Sequence, residues 1–233
     1  MGQRRANRLD SLNSVSWGFE MIEPSRLAAF IASRICHDLI SPVASVNSAL
    51  ELLEEPGDAD MKAQAEQLLH NGAESAAARI QLLRYAFGSA GLSNTAADRH
   101  DVQQIVEGFM KSHKPSVEWE IDTEHFSCGH ARVLMNLVIM ATAAIPRGGV
   151  VSLIVRNDEA GLRVIAQAKG PKARLSEFAE AALSGNTPEE GWSARTIQPL
   201  FANMVANDLG GEISAIAAEE NVTFVASGMR AEG

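Results

Sequence analysis

The sequence predicts an α+β fold in two parts: an N-terminal antiparallel helical hairpin that pairs into a dimeric four-helix bundle, then a C-terminal α/β sandwich. Three observations predict it. Two long stretches carry apolar residues at helical spacing, with a Pro-Gly turn between them. A run of small residues follows at 88–95. Beyond it the pattern changes to short alternating runs interleaved with shorter helical ones. The expected division is a tail over 1–22, the hairpin over 23–90 and the sandwich over 96–233.

The first helix is expected over 24–53. Pro24 suits a first helical turn, and Leu27, Ile31, Ile35, Leu39, Val43, Val46, Leu50 and Leu53 recur every three or four positions as one seam. Glu55-Pro56-Gly57-Asp58 breaks it, with Asp58 placed to cap the next helix. The second helix, over 59–87, carries the stripe Met61, Ala65, Leu68, Gly72, Ala76, Ile80, Leu83 and Phe87. A lone hairpin cannot cover both stripes, whereas two copies can, so a homodimer is expected.

In the second part, helices are expected over 102–110, 131–145, 175–183 and 196–209. Strands are expected over 117–121, 150–156, 162–168, 212–217 and 222–226, with 157–161 as a hairpin turn.

Composition narrows the function. The chain of 233 residues is 46% hydrophobic and 21% charged, ordinary for a globular protein, and only 5% aromatic. A net charge of -9 argues against nucleic acid as the main partner. The two cysteines, Cys36 and Cys128, are far apart and suggest a reducing compartment. No apolar run approaches the roughly 20 residues that span a bilayer. The basic start lacks an apolar h-region, so neither a membrane segment nor a signal peptide is expected, and the location is read as cytoplasmic. Cys128, His130 and nearby His125 make a poor metal set without a fourth ligand. His70, His100 and His113 read as surface residues, and Trp119 and Trp192 as core or interface anchors.

The chemistry concentrates at His37-Asp38-Leu39-Ile40-Ser41-Pro42. His37 lies two positions from both Ile35 and Leu39, about 200° around the helix, so it points away from the seam. Pro42 sits inside a strong helical pattern, at a cost of about 3 kcal/mol unless compensated. A neutral imidazole, with an ordinary pKa near ~6.5, is a good nucleophile at neutral pH. A neighbouring carboxylate can orient the ring and offset the charge of an imidazolium.

This six-residue stretch resembles the phosphoacceptor box of histidine-kinase dimerisation domains. The wider stretch 35–53 resembles the ChpT-type histidine phosphotransferases, and the likeness extends over nearly all of the chain from Glu23. It implies that His37 accepts the phosphoryl group and that Asp38 orients or assists it, with Ser41 and Pro42 matching their box neighbours. It also implies a relay between receiver domains of a hybrid histidine kinase and of response regulators, with Mg²⁺ brought by the partner receiver. Partner specificity is expected near Ser45, Ser48 and Ala49.

The second part resembles a histidine-kinase ATP-binding domain that has lost its site. Asn136 matches one of its asparagines, but Met140 and Ala143 stand where a second Asn and an acidic residue belong. The stretch 167–172 lacks the adenine-reading Asp, with Gly170-Pro171 as a remnant, and 191–195 lacks the phosphate-cradling glycines. No bound cofactor is therefore expected. The rival readings are an active histidine kinase, which requires ATP binding, and a non-catalytic dimeric receiver-binding adaptor, which never becomes labelled with phosphate.

Overall fold

The computed structural model of the protein describes residues 22–88, 95–123, 126–159 and 161–230. Most of the expected tail (1–21), most of the expected linker (89–94), His125 and Ala160 lie outside the described residues.

Helix α1 (Pro24–Glu54) begins at Glu23, whose carboxylate accepts from the Arg26 amide, and runs through Pro42. Helix α2 (Ala59–Ala86) begins at the expected cap, where Asp58 Oδ1 accepts from the Met61 amide at 2.9 Å. The two form the antiparallel hairpin. Their closest approach is made by small residues: Gly72 faces Pro42 and Val46, and a Cβ added there would lie 3.0 Å from Val46 Cγ2 and 3.3 Å from the Pro42 carbonyl oxygen. Ala49 and Ala65 are buried beside it.

Helices α3 (Arg99–Met110), α4 (Cys128–Ala144), α5 (Glu177–Leu183) and α6 (Ile197–Asp208) alternate with strands β1 (Ser116–Asp122), β2 (Val150–Asp158), β3 (Gly161–Lys169), β4 (Glu212–Ala218) and β5 (Asn221–Met229). The strands form one sheet in the order β1-β2-β3-β5-β4, with β1 parallel to β2 and the other pairs antiparallel. Alternation along the strands puts Val151, Leu153 and Val155, Leu162, Val164 and Ala166, and Val222, Phe224 and Ala226 on one buried face. Helices α4 and α6 cover that face. Helix α4 is apolar on nearly every side because it is packed from every side, against the sheet, α2 and α6. Gly149 (φ +130°) lets the start of β2 pass against Lys169 and Gly170, where an added Cβ would strike the Lys169 carbonyl.

Both helices of the hairpin join the sandwich, at the hairpin's open end. Leu82, Leu83 and Ala86 belong to the same core as the sheet, and Ile31, Ile35 and Leu39 of α1 pack against it. Around the start of α1, Ile22, Leu27 and Phe30 pack with Trp192 on Ile197 and Leu200 of α6. The expected seam of α1 is therefore divided: part faces α2, part faces the sandwich, and Val43 and Leu50 remain exposed.

One expectation needs correction. Helix α1 is long and apolar enough, by length and composition alone, to pass as a membrane span. Its apolar residues are spread around the helix, and reading only the seam understated them. Here α1 lies along α2.

Candidate functional site

His37 projects from the middle of α1 with its side chain 80% exposed. Its Nδ1 lies 3.4 Å from Asp38 Oδ1, while the second oxygen, Oδ2, accepts from Arg34 Nε at 2.9 Å. Asp38 and Arg34 are largely covered, at 16% and 19% exposed. The carboxylate is thus clasped one helical turn away by Arg34 and presents its remaining oxygen to the imidazole. With Nδ1 turned to Asp38, Nε2 is the ring nitrogen left to the solvent.

A cleft of about 350 Å³ opens beside Asp38 between the hairpin and the sandwich, walled by Arg34, Arg79, His113, Lys114 and Thr142. Arg79 is half-buried; desolvation lowers its pKa, and the nearby Asp38 charge opposes that shift. His113 is not the free surface residue expected. Its Nδ1 is 2.8 Å from the Phe109 carbonyl and its Nε2 is 3.4 Å from an Arg79 nitrogen, so the ring accepts from the guanidinium and donates to the carbonyl. Burial pushes its pKa down, the Phe109 carbonyl pulls it up, and Arg79 adds to the lowering. Arg34 lies four positions before Asp38, a pairing the sequence does contain, whereas no local spacing connects Arg79 to His113.

The other expected site residues divide. Ser41 and Ser48 are exposed; Ser45 is half-buried and donates to the Ser41 carbonyl at 3.2 Å. Pro42 and Ala49, also expected near the partner surface, are buried in the hairpin. At Pro42 it is the missing side chain of Gly72 that lets α2 approach α1.

The region expected to be a lapsed nucleotide site was tested on its side chains. Met140 and Ala143 line a cleft of about 280 Å³ together with Arg174, Phe178, Arg195 and Gln198, and no lining residue carries a carboxylate for an adenine amino group or a magnesium ion. Asn136 is fully buried: its Nδ2 donates to the carbonyls of Arg132 (2.8 Å) and Ala86 (3.1 Å), and its Oδ1 accepts from Gln198 at 2.6 Å. Residues 191–195 form a closed turn in which Thr196 Oγ1 donates to the Gly191 carbonyl and accepts from the Ser193 amide, both at 2.9 Å. These residues do not fit a magnesium nucleotide.

Two other histidines have local partners. His130 is buried, accepts from the Ser127 amide and donates Nε2–H to the Arg230 carbonyl at 2.9 Å. His70 pairs with Glu74 at 3.2 Å on an exposed turn, a partner the sequence reading did not assign. Among the described residues no group of three or more His, Cys, Asp or Glu is arranged to hold a metal ion.

The sequence profile described as "Histidine phosphotransferase C-terminal domain" matches residues 99–221. Protein phosphotransferase ChpT of Brucella abortus (strain 2308) is 36% identical over 200 residues, which is 86% of this chain and 94% of that protein. A solved structure of a bacterial phosphotransferase superposes with a TM-score of 0.79 at 32% identity, covering 88% of this chain and 98% of that one. More distantly, the catalytic domain of the histidine kinase ThkA aligns with 55% of this chain and 88% of its own length, at 19% identity and a TM-score of 0.44. On the profile that matches more than half of its length and the relative that matches most of it, the chain belongs to the histidine phosphotransferase family typified by ChpT.

Proposed function

We propose that this protein relays phosphoryl groups between two-component receiver domains, of a hybrid histidine kinase on one side and of response regulators on the other, through a phosphohistidine at His37. The observation that carries the reading is the exposed imidazole beside a clasped carboxylate, in a chain of the histidine phosphotransferase family. Neutral His37 attacks phosphorus through Nε2; the N–P bond forms, the P–O bond of the aspartyl phosphate breaks, and the donor carboxylate leaves. Nδ1 keeps its proton throughout. The ring becomes cationic, and Asp38 offsets that charge. The same path run backward delivers the group to a second receiver.

Mg²⁺ enters with the receiver, and the chain uses no ATP of its own; the carboxylate-free cleft and the closed turn at 191–195 support this part. The protein acts as a homodimer in the cytoplasm. Supporting the dimer, Ile40, Val43, Leu50, Leu68 and Ile80 are five of the seven exposed large hydrophobics among the described residues, and all five lie on the hairpin. A second hairpin laid on them completes a four-helix bundle and leaves His37 open. Receivers dock across Ser41 and Ser48, which follow His37 along the exposed side of α1.

Transfer of radiolabelled phosphate from a phosphorylated receiver domain tests this. The wild-type chain becomes labelled, with the acid lability of phosphohistidine, and His37→Ala does not. A His37→Ala chain that still relays phosphate between receivers overturns the reading.

A further inference from the structure

We propose that Arg34 is a positioning residue for phosphoryl transfer: by clasping one oxygen of Asp38 it aims the other at His37 Nδ1, which fixes the imidazole tautomer and leaves the Nε2 lone pair for phosphorus. The inference rests on His37 being the acceptor. The geometry behind it is a chain of two contacts, Arg34 Nε to Asp38 Oδ2 at 2.9 Å and Asp38 Oδ1 to His37 Nδ1 at 3.4 Å.

Helix stability alone does not account for the pair. In an i,i+4 pair the favourable order has the acid toward the N-terminus; here the base comes first. The pair is also largely covered, at the wall of the cleft beside Arg79 and His113, whereas His37 stands almost fully in solvent. An exposed imidazole turns freely about χ1 and χ2, so its orientation must be imposed by a neighbour. Asp38 can impose it only if its own carboxylate is held, and Arg34 is the group that holds it. The planar guanidinium suits that duty, because Nε and the terminal nitrogens form a rigid fork; a lysine ammonium offers the charge without the plane.

Two measurements on the full-length chain test this without a protein partner. The first is the His37 ring tautomer, read from long-range ¹H–¹⁵N correlations of ¹⁵N-histidine-labelled protein. Nδ1–H is expected in the wild type. Arg34→Ala shifts the ring toward the Nε2–H form that unconstrained histidine favours, and Arg34→Lys gives an intermediate population. The second is the rate at which phosphoramidate, a small donor with no docking surface, phosphorylates His37. Arg34→Ala is expected to lower it by about tenfold, at the lower edge of what removal of an orienting outer partner costs, with partial recovery in Arg34→Lys.

A wild-type ring in the Nε2–H form overturns the inference before any variant is made. So does an Arg34→Ala chain with the wild-type tautomer and labelling rate. If Arg34→Ala fails to fold, Arg34→Lys is the deciding variant, and a wild-type tautomer and rate there overturn it equally. Failure of the relay reading looks different: receivers then label the His37→Ala chain, whatever the tautomer.

Discussion

Replacing Asn136 with alanine should cost about 2–4 kcal/mol of folding stability. The amide makes three hydrogen bonds in a site closed to water: to the Arg132 carbonyl, to the Ala86 carbonyl that ends α2, and from Gln198 at 2.6 Å. The losses are unequal. Ala86 keeps a second donor, Arg132 Nε at 3.3 Å, and the Arg132 carbonyl keeps its place in the helix ladder. Gln198, buried in α6, loses the acceptor of its Nε2–H, and its Oε1 has no protein partner to begin with. A buried donor left unmade costs about 1–3 kcal/mol, and the small cavity adds about one more. At this chain length about 3 kcal/mol lowers Tm by roughly 6–12 °C. Urea unfolding followed by circular dichroism, with a parallel thermal scan, measures both. The double variant Asn136→Ala with Gln198→Leu discriminates the cause, because removing the stranded amide should restore more than 1 kcal/mol of the loss. A single variant within about 0.5 kcal/mol of wild type, or a double variant no better than the single, refutes the assignment of Asn136 to a structural clamp.

Two further outcomes are expected. Val43→Glu with Leu50→Glu places charges on the exposed hairpin face and should yield a monomer in analytical ultracentrifugation where the wild type sediments as the proposed dimer; a variant that still dimerises would put the interface elsewhere. Burial holds His113 and His130 below the ordinary histidine value, so the unfolded chain takes up protons near pH ~6.5 before the folded chain does. Their contribution is complete above that value and is lost as pH falls through it, so the urea midpoint should be lower at pH 5.5 than at pH 7.5. Equal midpoints would show that neither ring stays neutral in the fold.

Each helix and strand expected from the sequence is present, because the signals that define them are local. The Asp58 cap and the breaker at 55–58 act within a few residues, and the alternation in β2, β3 and β5 follows from one buried sheet face. What each face of α1 meets was not legible. Eight apolar positions read as one seam, but a straight helix drifts relative to a heptad repeat, and the seam is handed from the sandwich at Leu27 and Ile31 to α2 at Val46. The stripe was also drawn through the large residues, so Pro42 and Ala49 looked available to a partner. Close helix packing selects small residues, and those two are the ones buried. The exposed position of His37 was legible from its angle to the seam. The clasp by Arg34 was within reach, being an i,i+4 pair, but Arg79 and His113 meet across 34 positions and only the fold joins them.

The way the hairpin is anchored bears on why a nucleotide-type domain is kept at all. A chain that carried its own γ-phosphate to His37 would have to move one part against the other. Here α2 is tied down at its end: Arg132 and Asn136 both hold the Ala86 carbonyl, and the Phe87 ring lies 5.2 Å from that of Phe201 on α6. The start of α1 is tied down through Leu27, Phe30 and Trp192. Releasing the hairpin would expose Ala86, Leu82 and Leu83 together with the clamp, a cost far above thermal energy. A fixed wall suits a carrier whose phosphate arrives on another protein. It keeps Asp38 and Arg34 largely covered while His37 stays exposed. Asn136 holds that wall in place, linking the end of α2 at Ala86 to Gln198 of α6.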